Sequence, residues 1–137
     1  MRLVLDTNVI ISALINPEGT PSKILKMVIG RNSELYCNSA ILAEYESVLQ
    51  RPKFSGKINK ASIHRLIDLL RVIGIMFDPI SSKIKLLDES DRIFYDTAKG
   101  SGSFLITGNI RHYPKEPFIL TPADFLTTKT SRKYFGN

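Results

Sequence analysis

Five short apolar stretches with strand character recur along the chain, and most segments between them have helical periodicity. The stretches cover residues 3–5, 35–37, 75–77, 104–106 and 118–120. A regular alternation of strands and helices is typical of an α/β domain in which neighbouring strands run parallel. The hydrophobic pattern therefore predicts an α/β fold with a parallel sheet.

The ends of the predicted helices carry recognisable residues. Polar N-cap candidates precede the helices predicted at 23–29, 40–50 and 60–72, namely Ser22, Ser39 and Asn59. Gly30 and Gly74 are predicted to end two of these helices in the left-handed conformation, and Pro52 to stop the one at 40–50. A further helix is predicted at 91–99, and a short last helix after residue 121.

The length and composition are those of one folded domain. The chain has 137 residues, of which 43% are hydrophobic and 23% charged, close to the averages for globular proteins. No apolar run approaches the ~20 residues that span a bilayer, so we expect a cytoplasmic protein with no membrane partner. The single cysteine, Cys37, is expected to be a buried apolar side chain.

The net charge of +6 favours a polyanionic partner. Charge alone fits RNA, DNA or an acidic protein, so the motifs must decide. Basic residues concentrate just beyond the helix at 40–50 and are the candidate RNA-binding residues: Arg51, Lys53, Lys57 and Lys60. An ordinary solvated surface is the alternative for this cluster.

Asp6 is the first candidate site residue. It directly follows the apolar run 3–5, which suits a central strand buried on both faces. Ligands collect at the carboxyl ends of parallel strands, so an acid at this place is a helix cap, a site residue or both. Further acids at the same edge favour a site, because hard divalent cations need several oxygen ligands.

Two of the predicted helices supply such acids. Glu44 and Glu46 lie on opposite edges of an apolar stripe, and periodicity does not choose between them. In the helix at 91–99, an advance of about 100° per residue turns Asp91 inward and Asp96 well away from it. Compensation of the helix dipole is the alternative role for Asp91, and Asp88 is a candidate cap or support.

Polar residues with weaker claims accompany these acids. Thr107 and Asn109 follow the strand predicted at 104–106, where they could orient a carboxylate, a water or a phosphate, although an ordinary turn is the alternative. Asn8 and Ser12 are candidates to support Asp6 from the first helix. His112 lacks a zinc-ligand spacing and is expected in a surface loop.

Four motifs, taken in order, resemble the PIN-domain family over residues 1 to about 126. They are Asp6-Thr7-Asn8, Glu44, the stretch 91–98 and the stretch 105–109. The likeness is closest to toxins of bacterial toxin–antitoxin modules, and the ending at 119–126 shares it. The resemblance implies a three-layer α/β/α sandwich with a central parallel sheet of about five strands, as one domain at 1–126 followed by a basic tail at 127–137.

The resemblance also implies an activity and a site. It implies hydrolysis of RNA phosphodiesters with Mg²⁺ or Mn²⁺, hard ions that prefer carboxylate oxygens. It makes Asp6, Glu44 and Asp91 the expected catalytic and metal-binding residues, which chooses Glu44 over Glu46. Asn109 stands where family members commonly carry a fourth acid, so it is a weaker ligand and puts a second ion in doubt. An RNA substrate, an antitoxin partner and a homodimer are the expected interactions.

Two other functions stay open. Because Asn109 replaces an acid, the chain also fits a non-catalytic RNA-binding PIN domain with a degenerate metal site. An aspartate at a strand end can instead form an acyl phosphate, as in phosphatases of the haloacid-dehalogenase type. That pattern requires a second acid two residues after Asp6, where this chain has Asn8.

Overall fold

One sheet of five parallel strands forms the centre of the molecule. The computed structural model describes residues 1–135, with side chains as far as residue 128. The strands are β1 (Arg2–Leu5), β2 (Glu34–Cys37), β3 (Ile75–Met76), β4 (Phe104–Ile106) and β5 (Ile119–Leu120), in the order β3-β2-β1-β4-β5. Every pairing among these strands is parallel. The predicted α/β class and five-stranded parallel sheet are confirmed.

Helices cover the sheet and complete the predicted three-layer sandwich. They are α1 (Thr7–Ile15), α2 (Thr20–Ile29), α3 (Ser39–Leu49), α4 (Lys60–Ile73), α5 (Arg92–Ser101) and α6 (Pro122–Phe135). Leu3, Val4 and Leu5 of β1 are completely buried. Because successive side chains of a strand point to opposite faces of a sheet, this burial requires cover on both faces of β1.

The register of the strands sets two chain exits side by side. Leu5 at the end of β1 pairs with Ile106 at the end of β4. The backbone N–H of Asp6 then donates to the carbonyl of Ile106 at 2.9 Å. Asp6 and Thr107 therefore leave the same edge of the sheet from adjacent positions, although 101 residues separate them.

The helix ends agree with the sequence in part. Asn59 caps α4 as predicted, whereas α3 is capped by Asn38, one residue before the predicted Ser39. The predicted cap Ser22 is wrong, because α2 already begins at Thr20 after Gly19. The predicted left-handed caps are wrong, because Gly30 has φ −78° and Gly74 has φ −70°. Gly74 is required by space: a Cβ there would lie 2.6 Å from both the Cys37 sulfur and the Leu70 carbonyl oxygen.

The segment between β3 and α5 is irregular and is held against α5. The guanidinium of Arg92 donates to the carbonyls of Ser82 at 2.8 Å and Ile84 at 2.6 Å, and pairs with Glu89. Asp96, which the sequence rotates well away from the inward Asp91, is itself buried, and its Oδ2 accepts the Ser82 backbone N–H at 2.9 Å. These contacts fix the approach to α5.

The last helix is longer than the sequence indicates. α6 continues to Phe135, across the boundary at residue 126 that separates the predicted domain from the predicted tail. Phe125 of this helix is completely buried. The division into domain and tail stays a prediction, and the side chains of most of the tail lie outside the described residues. Among the described residues, no helix is both long and apolar enough to cross a membrane.

Candidate functional site

Asp6 lies buried at the carboxyl end of β1, with hydrogen-bond donors on both carboxylate oxygens. It is 5% exposed. Oδ1 accepts the backbone N–H of Thr7 at 2.8 Å, so the side chain caps α1. Oδ2 accepts the hydroxyl of Thr107 at 2.8 Å and that of Tyr113 at 3.0 Å. Burial raises the pKa of Asp6, and these donors offset part of the rise. The capping and site roles of Asp6 are thus compatible.

Thr107 connects Asp6 to the exit of β4. Its completely buried hydroxyl donates to Asp6 and accepts the Asn109 backbone N–H at 3.0 Å and the Asn8 amide at 3.5 Å. The carbonyl oxygen of the Asn8 side chain in turn accepts the Gly108 N–H at 2.8 Å. Asn8 therefore ties α1 to the β4 exit. Asn109 contributes its backbone to this network while the residue itself is exposed.

Asp91 lies at the start of α5 with one carboxylate oxygen buried and unpartnered. Its side chain is 14% exposed, and it makes no capping hydrogen bond to the helix. Among the described residues, Oδ2 has no hydrogen-bond partner. Burial, together with the negative charges of Asp6 and Asp88, raises the pKa of Asp91 to about 6. Asp91 thus faces inward and lies within electrostatic range of Asp6.

Tyr113 stands between these two acids, and sequence reasoning missed it. The residue is 6% exposed, and its hydroxyl donates to Asp6 and lies near enough to Asp91 to lower the pKa of that carboxyl slightly. Burial and the two nearby carboxylates raise its pKa far above the ordinary value, so it stays a neutral donor. Tyr113 follows a single turn of 3₁₀-helix (Ile110–His112), where no periodic pattern could single it out.

His112 lies at the rim of the same site and is exposed, as expected. Its side chain is 51% exposed, in agreement with that expectation, but Nδ1 lies 3.8 Å from Oδ2 of Asp91. Asp88 lies near as well and caps the short turn Glu89–Asp91 by accepting the Ser90 N–H at 2.9 Å. A protonated His112 would partly neutralise Asp91 at this rim.

Glu44 and Glu46 point toward different parts of the molecule. Glu46 lines a cavity of about 680 Å³ together with Arg71 and with Met76 of the edge strand β3. Tyr45, next to Glu44, donates its hydroxyl to the carbonyl of Leu5, the residue before Asp6. Since Glu44 and Glu46 occupy opposite edges of the apolar stripe of α3, Glu44 lies on the side away from the Glu46 cavity, and both residues are half-buried.

Glu44 is not brought into a compact cluster with the two aspartates. Among the side chains that the structure describes, as far as residue 128, no group of three or more histidines, cysteines, aspartates or glutamates is arranged to hold a metal ion. The pair of Asp6 and Asp91 nevertheless fits a cation, because Asp91 keeps a buried oxygen without a donor and the two negative charges repel each other. Carboxylate oxygens suit a hard divalent ion.

The remaining predicted residues lie further out. Ser12 is exposed on α1, one turn beyond Asn8. The candidate RNA-binding residues are all exposed: Arg51, Lys53 and Lys57 on the connection from α3 to α4, and Lys60 as the first residue of α4. Arg51 and Lys60 share a cavity of about 270 Å³. They form a basic surface whose role stays a prediction.

Comparisons with other proteins agree with this architecture. A family model described as PIN domain matches residues 2–111. The uncharacterized protein MJ1680 of Methanocaldococcus jannaschii is 32% identical over 110 residues, which are 80% of this chain and 71% of that protein.

Two solved structures have a similar fold. VapBC2 from Rickettsia felis, bound to a DNA fragment from their promoter, matches with a TM-score of 0.58 and 18% identity over 88% of this chain and 97% of that chain. VapBC-1 from nontypeable Haemophilus influenzae matches with a TM-score of 0.55 and 20% identity over 82% and 90%. At these identities the likeness is one of fold.

Proposed function

Because the chain belongs to the PIN-domain family, we propose that it is a Mg²⁺- or Mn²⁺-dependent endoribonuclease that hydrolyses RNA phosphodiester bonds. One observation carries the proposal: the charge of Asp6, at the end of β1, reaches Asp91, at the start of α5, and Oδ2 of Asp91 is buried without a hydrogen-bond partner. Two neighbouring carboxylates that repel each other are stabilised by a cation between them.

Three carboxylates would hold the ion. Asp6 and Asp91 would supply two of the ligands. Glu44, the residue before Tyr45 on α3, is the proposed third, although without an ion it is not clustered with the two aspartates. The amide of Asn109 supplies no charge, so the site has little capacity for a second ion. A bound Mg²⁺ or Mn²⁺ would polarise the phosphate of the substrate and lower the pKa of a bound water.

The protein itself keeps the first ligand in place. Thr107 and Tyr113 donate to one oxygen of Asp6 while the Thr7 amide donates to the other, which leaves few orientations open to the carboxylate. Ligands fixed by surrounding donors need little reorganisation when an ion binds, and such support typically affects metal affinity by about 10–100-fold. Asn8 extends the support through Thr107.

The biological setting that we propose is a toxin–antitoxin module in the cytoplasm. The order of motifs resembles toxins of such modules, and the two VapBC structures share the fold. An antitoxin protein would then hold the nuclease in check, and a homodimer is the expected assembly. The net charge of +6 is compatible with RNA as the substrate, since it favours a polyanion.

Cleavage of labelled RNA by the purified chain tests the proposal. With Mn²⁺ or Mg²⁺ the wild type should cut RNA, EDTA should stop it, and Asp6→Asn should lower the rate at least about a hundredfold. Asp68→Asn is the matched control, since Asp68 pairs with Arg71 on the surface of α4 and should leave the rate unchanged. Equal residual cleavage by wild type and Asp6→Asn would show contamination and reject the proposal.

A second candidate is a non-catalytic RNA-binding PIN domain. Asn109 in place of an acid and the separation of Glu44 from the two aspartates both favour it. This candidate predicts RNA binding without turnover, and an affinity that EDTA does not change. The cleavage assay with a parallel binding measurement separates the two functions.

A further inference from the structure

A cavity of about 600 Å³ is lined by the segment from the turn Ile110–His112 to β5, which includes Tyr113. Its apolar walls come from Ile110, Pro114, Pro117 and Ile119. A volume of this size is typical of sites that enclose a small organic group. Apolar walls suit a flat ring. They do not suit a bare phosphate, because they offer no interaction that would offset the free-energy cost of its desolvation.

Tyr113 joins this cavity to the candidate metal site. The same side chain lines the cavity and donates its hydroxyl to Oδ2 of Asp6. A group seated in the cavity therefore lies one side chain away from the carboxylates. If those carboxylates promote cleavage of a phosphodiester bond, a nucleotide next to that bond would lie close to this cavity.

The charges around the cavity suit a phosphate backbone. Arg111 and Lys115 are exposed and line it. Glu116 is the acid on its wall, and the ammonium of Lys99 lies 3.8 Å from its Oε1 and offsets its charge. The rim is therefore positive on balance, with an apolar interior.

We propose that this cavity binds a nucleobase of single-stranded RNA next to the cleaved bond, with Arg111 and Lys115 contacting the flanking phosphates. The inference rests on the proposed ribonuclease function and adds a substrate subsite to it. Single-stranded RNA is the form that fits, because its bases are free to leave the stack and insert between apolar walls. A duplex keeps its bases paired and would be bound less tightly.

The test measures RNA binding by fluorescence anisotropy, with the full chain in EDTA so that cleavage does not interfere. The probe is a short labelled single-stranded RNA, compared with an oligomer of equal length whose sugars carry no bases. Wild type should prefer the RNA by at least about fivefold, the lower range for burial of one base. Ile110→Ala should remove most of this preference, whereas Lys115→Gln should weaken binding of both oligomers.

Lys23→Gln on α2 is the matched control for loss of one exposed positive charge, and it should bind as wild type does. Thermal melting of each variant checks that folding is unchanged. Equal affinity of wild type for the two oligomers, or an unchanged preference in Ile110→Ala, would overturn the inference and leave the cavity to another occupant, such as a protein segment. RNA that binds as expected but is not cut with Mn²⁺ would reject only the nuclease proposal.

Discussion

The hydroxyl of Tyr113 donates to Oδ2 of Asp6 at 3.0 Å, across 107 residues of sequence. The same oxygen accepts the hydroxyl of Thr107. The first acid of the chain is therefore positioned by residues that follow β4, in the last third of the sequence. Asp6 cannot adopt its geometry until β1 and β4 have paired.

Removing the Tyr113 hydroxyl should destabilise the native state, because the Asp6 carboxylate loses a hydrogen bond. Tyr113→Phe is expected to lower the free energy of unfolding by about 1.5–3 kcal/mol at pH 7.5 in EDTA, the usual range for a hydrogen bond to a charged group. Urea denaturation measures it. Tyr36→Phe is the control, because the Tyr36 ring packs under the Arg2 guanidinium and should be indifferent to loss of its hydroxyl. Equal losses in the two variants would contradict the role of Tyr113.

Asp91 should make the metal-free protein less stable as the pH rises. The native state holds the proton on Asp91 up to a pKa of about 6, whereas the unfolded chain releases it near 3.8. The native state thus binds more protons between these values, so this group lowers the free energy of unfolding as the pH rises from about 4 to 6.

Asp91→Asn removes the carboxylate whose deprotonation destabilises the native state. In EDTA at pH 7.5 the variant should be more stable than wild type by about 1–3 kcal/mol, and the difference should shrink toward zero near pH 4. Thermal denaturation across this pH range measures it. A variant less stable than wild type at pH 7.5 would show that Asp91 is a structural residue. Such a result would remove the main support for a cation at this place.

Arg92 should stabilise the conformation of the irregular segment between β3 and α5. Lysine in its place cannot reach both carbonyls of Ser82 and Ile84 and also pair with Glu89. Arg92→Lys should lower the free energy of unfolding by about 1–2 kcal/mol and speed hydrogen exchange of the Ser82 amide. Arg71→Lys, on an exposed pair with Asp68, should change neither. Identical exchange in both variants would contradict this role.

The sequence predicted most of the fold because local signals suffice for it. The run at 3–5 is completely buried, and the order of strands and helices follows from apolar stretches separated by periodic segments. Cys37 is buried as expected. Gly74 was misinterpreted because its role is to leave room for Cys37 and Leu70, and a close approach between distant residues has no local signature.

The site residues that lie at the ends of strands and helices were predictable from the sequence, and those on irregular segments were not. Asp6 follows from its place at a strand end and Asp91 from helical periodicity. Tyr113 and His112 come from an irregular segment, where spacing says nothing about direction. Glu44 was chosen by resemblance, and the structure places it on the side of α3 away from Glu46 without joining it to Asp6 and Asp91.

Calorimetric titration with Mn²⁺ measures whether Asp6, Glu44 and Asp91 bind a divalent ion. Wild type should bind one Mn²⁺, Asp91→Asn and Glu44→Gln should each weaken binding by at least about tenfold, and Glu46→Gln should bind as wild type does. No detectable binding by wild type, or equal weakening by Glu44→Gln and Glu46→Gln, would contradict the account.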